Sequence, residues 1–229
     1  HERVIPIPRL YEYCEIAREL CCGKYGVGRV IARPFIGAYP DYARTSNRHD
    51  YSLLPPSDTF LDIMKERGLD VIAVGKINDI FAGRGITEFV RTKNNEDGIE
   101  KTIEYTKKKF NGICFVNLVD FDMLYGHRNN RDGYAKALTY FDKKYSEILN
   151  GLNEEDVVIV TADHGCDPDT PSTDHSREYI PLVMSGAGVK AGANCHTRST
   201  FTDIAATILD IFEISSPLPG TSMKKEMFK

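Results

Sequence analysis

The stretch Ile113-Cys114-Phe115-Val116-Asn117-Leu118-Val119, running directly into Asp120-Phe121-Asp122-Met123-Leu124-Tyr125-Gly126-His127, decides how this chain folds. A strand with one face in water alternates apolar and polar residues. This run is too continuously apolar for that, and reads as a strand buried on both faces, as in a parallel sheet covered by helices. The segment after it is acidic and ends in an imidazole. Upstream, Ile99 and Ile103 share one face of a charged helix ending near Phe110, and Val71-Ile72-Ala73-Val74 is another buried strand. Before that strand, Pro55-Pro56 ends the preceding segment. Ser57 or Asp58 can cap a helix through Phe60, Leu61 and Met64, and Gly68 can stop it.

Downstream, Tyr134, Ala137, Leu138, Phe141, Tyr145, Ile148 and Leu149 recur at helical spacing, with Gly151 placed to terminate the helix. Val157-Val158-Ile159-Val160 is a third strand. Tyr179-Ile180-Pro181-Leu182-Val183-Met184 is a fourth, its proline at an edge or end, and residues 201–212 form a last helix. Strand and helix in alternation predict an α/β fold, a mainly parallel sheet with helices on both faces. The opening residues differ: a helix from about Leu10 to Cys22, then Gly23, Gly26 and Gly28, then an extended Arg29-Val30-Ile31-Ala32-Arg33. They read as part of another domain.

The 229 residues carry 29 Lys and Arg against 33 Asp and Glu, a net charge of −4, with 41% apolar and 27% charged residues. That is the composition of a soluble globular protein. No apolar run approaches the ~20 residues of a membrane span, and basic residues are not striped along one helix. Neither a membrane nor a nucleic acid is expected as partner. The six cysteines form no CxxC pair, which suits a reducing, cytoplasmic setting. The chain opens on His1 with no targeting segment, and is expected to be an excised portion of a longer one.

In open parallel sheets ligands collect at the carboxyl ends of strands. Two strands here run into metal-type side chains: one into Asp122 and His127, another through Thr161-Ala162 to Asp163, His164 and Gly165, with His175 in the loop beyond. Taken singly, an Asp after a strand caps a helix and a lone His is a surface or core residue. Five donors at two strand exits and one loop are harder to explain that way. Two carboxylates and three imidazoles suit Zn or Mn better than Ca or Mg. Asp120, Asp167, Asp169 and Asp174 stay open as alternative ligands or as solvated loop carboxylates. Adjacent Asp163 and His164 would point to opposite faces of a regular strand, so a turn at Gly165 is expected.

Asp122-x4-His127, Thr161-Ala162-Asp163-His164-Gly165 and His175 together resemble the two-metal motif of the alkaline phosphatase superfamily, with the spacings of phosphopentomutases. Residues 28–35, 44–50, 75–81, 173–181 and 219–222 carry the same resemblance. It implies an alkaline-phosphatase-like core with two divalent ions, usually Mn2+ with Zn2+ as the alternative, and a smaller α/β cap. Residues 1–53 would be the latter part of the cap and 54–229 an incomplete core. Asp122, His127 and His175 would hold one ion, and Asp163 and His164 the other. Arg29, Ile31, Arg44 and Lys76 would receive the sugar phosphate, whereas Arg33 and Arg48 are better read as solvated.

The activity implied is the interconversion of ribose 1-phosphate and ribose 5-phosphate, or their deoxyribose counterparts, through a phosphothreonine. Glucose 1,6-bisphosphate or a similar bisphosphate would be the activator. That threonine belongs to an amino-terminal segment expected as the chain's missing partner, so the cycle is not expected from these residues alone. Another branch of the superfamily, a cofactor-independent phosphoglycerate mutase or a phosphatase, is the alternative enzyme. A non-catalytic metal-binding module is the alternative outside enzymes.

Overall fold

A computed structural model describes residues 1–215 and 217–229. The chain forms two compact units, His1–Asp58 with Asn78–Arg84, and Thr59–Ile77 with Gly85–Lys229. A short later segment therefore returns to the first unit. Side-chain bonds explain that return. Ser52 Oγ donates to the Asp79 carbonyl at 2.7 Å, and Arg84 donates to the Pro55 carbonyl at 3.0 Å and pairs with Asp58.

In the first unit α1 (Ile7–Leu20) opens with proline in its first turn, where no amide hydrogen is needed. It closes with Arg18 donating to the Cys21 carbonyl at 2.6 Å. Strands β1 (Arg29–Ala32), β2 (Phe35–Ala38), β3 (Asp41–Arg44) and β4 (His49–Ser52) make two antiparallel ribbons, β1 with β4 and β2 with β3. Ile31 lies opposite Asp50 in the first ribbon, and Tyr11 of α1 packs on His49 and Tyr51 of β4.

The second unit begins with α2 (Phe60–Glu66), capped by Thr59 rather than by Ser57 or Asp58. The Thr59 amide donates to Asp62 Oδ2 at 2.7 Å and closes a capping box. Gly68 ends the helix at φ +75°, a conformation that strains residues bearing a Cβ. Then come β5 (Asp70–Val74), the short α3 (Ile77–Ile80), of which all but Ile77 belong to the first unit, and in the second unit again β6 (Glu88–Val90), α4 (Asn95–Thr106) and β7 (Gly112–Val116). Strands β6, β5 and β7 form a parallel sheet in that order.

Residues alternate across the sheet. Ile72 and Val74, with Cys114 and Val116 beside them, pack on Tyr105 of α4. Phe115, paired with Ala73, faces Phe60 of α2 at 6.3 Å between ring centroids. Helices therefore cover both faces, as the two-sided apolar runs require.

Next is α5 (Arg131–Asn150), the long helix expected from its periodicity, with Gly151 as its C-cap. Its Phe141, Tyr145 and Ile148 close a core with Ile99, Ile103, Leu118 and Val158. Strands β8 (Val158–Thr161) and β9 (Leu182–Ser185) pair with each other antiparallel, in a ladder separate from the parallel one. Pro181 precedes β9 and so leaves its ladder intact. The chain ends with α6 (Thr202–Ile211) and α7 (Lys224–Met227); Met184, Met223 and Met227 meet behind the β8–β9 pair. No helix among the described residues is long and apolar enough to cross a membrane.

Candidate metal centre

β7 runs out into a π-helical turn, Phe121–Tyr125, and then a 3-10 turn, Gly126–Arg128. Such wide turns recur at functional sites because they re-aim side chains that a regular helix would spread around its axis. Here they turn Asp122 and His127 toward each other, with His127 Nε2 at 3.2 Å from Asp122 Oδ1. His175 arrives from the loop after β8, its Nε2 also 3.2 Å from Asp122 Oδ1. One donor atom from each of the three lies within 4.8 Å of the others.

The loop is brought in by an isolated antiparallel bridge between Gly165 and Ser176, whose amide donates to the Gly165 carbonyl at 3.0 Å. The backbone bends at Asp163 and His164, but Gly165 itself is not among the glycines with positive φ. It is needed for space instead, since a Cβ there would collide with the Glu178 carboxylate and the Ser176 carbonyl. His164 and His175 flank the bridge and stack with ring centroids 3.7 Å apart at 18°.

Hydrogen bonding fixes the imidazoles. His127 Nδ1 lies 2.5 Å from the Thr173 carbonyl and His164 Nδ1 lies 3.0 Å from the Gly165 carbonyl. A carbonyl only accepts, so both Nδ1 atoms donate, and each ring turns its Nε2 inward. Asp122 Oδ1 is shielded from solvent and has no hydrogen-bond partner among the described residues. A shielded carboxylate oxygen without a hydrogen-bond partner is unfavourable unless a cation lies beside it. The donor set therefore fits a divalent metal.

The remaining candidates are placed less uniformly. His164 Nε2 lies 4.0 Å from Asp122 Oδ1 and 3.7 Å from Asp163 Oδ2, whose side chain is 74% exposed. Asp120 is buried and exchanges hydrogen bonds with Asn95, while Asp167 Oδ1 accepts from the Asp169 amide at 2.8 Å. Cys166 lies over Gly126, and burial, together with the nearby Asp122 charge, pushes its thiol pKa up.

In the first unit Arg29 opens β1, Ile31 lies within it, and Arg44 ends β3 on the other ribbon. Asp50 accepts from Arg29 at 3.5 Å and from Arg48 at 3.0 Å, so Arg48 is tied to the same carboxylate as Arg29 rather than simply solvated. Lys76 occupies the turn after β5, in the second unit. The Thr173 carbonyl was invisible to sequence reasoning because a backbone acceptor leaves no residue-type signal.

Residues 31–216 match the family model described as the metalloenzyme superfamily, well over half of the chain. The chain belongs to the metalloenzyme superfamily. Within the superfamily it is similar to proteins named phosphopentomutase, as the motifs suggested. It is 62% identical over 229 residues to that of Lachnoclostridium phytofermentans, covering 100% of this chain and 59% of the relative. The Clostridium kluyveri protein is 58% identical over 98% of this chain and 58% of its own length. The Kosmotoga olearia protein is 55% identical over 99% and 59% respectively. The chain thus spans about 59% of the length of such curated relatives. The solved structure of the PH0037 protein from Pyrococcus horikoshii shares the fold with a TM-score of 0.53 at 16% identity, covering 78% of this chain and 59% of that one.

Proposed function

We propose that this chain carries metal-binding and sugar-phosphate-binding residues of a phosphopentomutase, which interconverts (deoxy)ribose 1-phosphate and (deoxy)ribose 5-phosphate. The carrying observation is Asp122 Oδ1, shielded and without a hydrogen-bond partner among the described residues, 3.2 Å from the Nε2 atoms of both His127 and His175. The 62% identity to a phosphopentomutase supplies the reaction.

Asp122, His127 and His175 would hold one divalent ion, and Asp163 with His164 would contribute to a second, Mn2+ or Zn2+ by the mixed oxygen and nitrogen donors. When bound, such ions stabilise charge on transferring phosphoryl oxygens. The Thr173 carbonyl accepts from His127 Nδ1 and so keeps Nε2 directed inward. Arg29, Ile31, Arg44 and Lys76 would be the residues that receive the sugar phosphate. Guanidinium forks match a phosphate dianion, and a lysine adds a point charge. The nucleophilic phosphothreonine is assigned to none of this chain's residues. Glucose 1,6-bisphosphate, or a bisphosphate like it, would prime the cycle. Six cysteines without a disulfide favour the cytoplasm as its setting.

Manganese titration tests the binding half: the protein should take up Mn2+, and Asp122→Asn should abolish uptake at the first site. Pentose phosphate interconversion tests the catalytic half, assayed in the protein as its gene encodes it, with Mn2+ and glucose 1,6-bisphosphate, beside phosphoglycerate. Turnover of phosphoglycerate without turnover of pentose phosphate would overturn the assignment.

A further inference from the structure

We infer that Asn129 is a positioning residue that latches the loop bearing His175 onto the turn bearing His127. The inference rests on the proposed metal centre. Asn129 caps the Gly126–Arg128 turn with φ 50° and ψ 36°, and its amide donates to the Gly126 carbonyl at 3.0 Å. Asn tolerates this left-handed backbone better than most residues with a side chain. Its side chain then reaches across to a distant stretch of chain. Nδ2 donates to the Thr170 carbonyl at 2.6 Å and the Ser172 carbonyl at 3.1 Å, with the Pro168 carbonyl at 3.4 Å. Acceptors alone face it, so the amide nitrogen, not its oxygen, points that way.

The next carbonyl along the loop, that of Thr173, holds His127 Nδ1, and two residues further lies His175. Asn129 is therefore bound by backbone to one metal-donor turn and by side chain to the loop supplying both the third donor and the acceptor that orients the first. A further tether nearby, Arg131 to Asp169 at 3.5 Å, joins side chains 69% and 62% exposed. An exposed ion pair of that kind holds a loop weakly.

Glycine at 129 keeps the backbone free to adopt φ 50° while deleting only the side-chain amide, so Asn129→Gly isolates the latch. Asn129→Asp keeps the shape but sets a carboxylate against carbonyl oxygens. Manganese affinity should fall about 10-fold in Asn129→Gly, the scale of outer-shell changes around metal ligands, and at least as far in Asn129→Asp. In metal-free protein, nitrogen-15 spectra of the imidazoles should show His127 losing its single Nδ1–H tautomer in Asn129→Gly. Amide exchange at Asp169, Thr170 and residues 172–175 should rise with it.

A residue that merely completes a turn would leave all three readings unchanged on substitution by glycine, and that result overturns the inference. If the unsubstituted protein binds no manganese, the metal reading fails separately. The latch is then upheld or refuted by the metal-free tautomer and exchange data alone.

Discussion

Asn95 and Asp120 exchange hydrogen bonds across 25 residues of sequence: the Asn95 amide donates to Asp120 Oδ2 at 2.7 Å and the Asp120 amide donates to Asn95 Oδ1 at 2.9 Å. Asn95 is the first residue of α4, and Asp120 begins the turn that presents Asp122. A carboxylate at a helix N-terminus meets unpaired amides and the positive end of the helix dipole. The start of α4 and the exit of β7 are thereby clamped together, two residues before the proposed ligand.

Removing the clamp should cost stability and metal affinity together. Asp120→Ala leaves a buried Asn95 amide without its acceptor, a loss of about 2–3 kcal/mol for a charged hydrogen bond. Urea unfolding would measure it. Manganese titration of the same variant should show weaker binding, although Asp120 is not among the proposed ligands.

Asp122→Asn should do the reverse in the metal-free state. It removes the charge from a shielded oxygen that lacks a hydrogen-bond partner among the described residues, so metal-free stability should hold or rise while manganese affinity falls beyond the ~10–100-fold typical of outer-shell changes. Thermal unfolding with and without Mn2+ separates the two. A variant that is destabilised without metal and still binds it would contradict the role given to Asp122.

Gly165→Ala tests the bridge that assembles the site. The added methyl would meet the Glu178 carboxylate and the Ser176 carbonyl, and overpacking of this kind costs about 1–3 kcal/mol. Because the bridge also stacks His164 on His175, manganese binding should weaken in parallel. Calorimetry on the purified variant reads both.

Acid stability should depend on Asp203. This carboxylate is buried at 3% exposure; burial pushes its pKa up, but the Thr221 amide at 2.8 Å and Arg198 at 2.7 Å outweigh burial and hold it below the usual carboxylate value. A folded-state pKa below the unfolded one, ~3.9, gives stabilisation that is complete above that unfolded value. It is lost as pH falls through the folded value. Urea midpoints measured from pH 6 downward should drop more steeply below pH ~4 in the unsubstituted protein than in Asp203→Asn. Equal slopes would remove Asp203 from the acid limb.

How much of the fold was legible beforehand differs by element. The long helix α5 was readable because Tyr134 to Leu149 repeat at helical spacing and Gly151 comes next but one. β5 and β7 were readable because burial on both faces demands unbroken apolar runs. β6 was not, since Glu88-Phe89-Val90 is three residues whose strand character comes from pairing with β5. The antiparallel pairing of β8 with β9 was hidden too, because an apolar run reports burial and not the direction of its neighbour. Thr59 outcompeted Asp58 as helix cap because Asp62 completes its box, while Asp58 is drawn to Arg84.

The site divides the same way. Residue types alone determined that Asp122, His127, Asp163, His164 and His175 offer oxygen and nitrogen donors beside strand ends, since side-chain chemistry travels with the letter. Only the tertiary structure decided which of them converge. Distance depends on a π-helical turn, on a two-residue bridge at Gly165 and Ser176, and on carbonyls of a loop far along the chain, and a backbone carbonyl is the same in every residue.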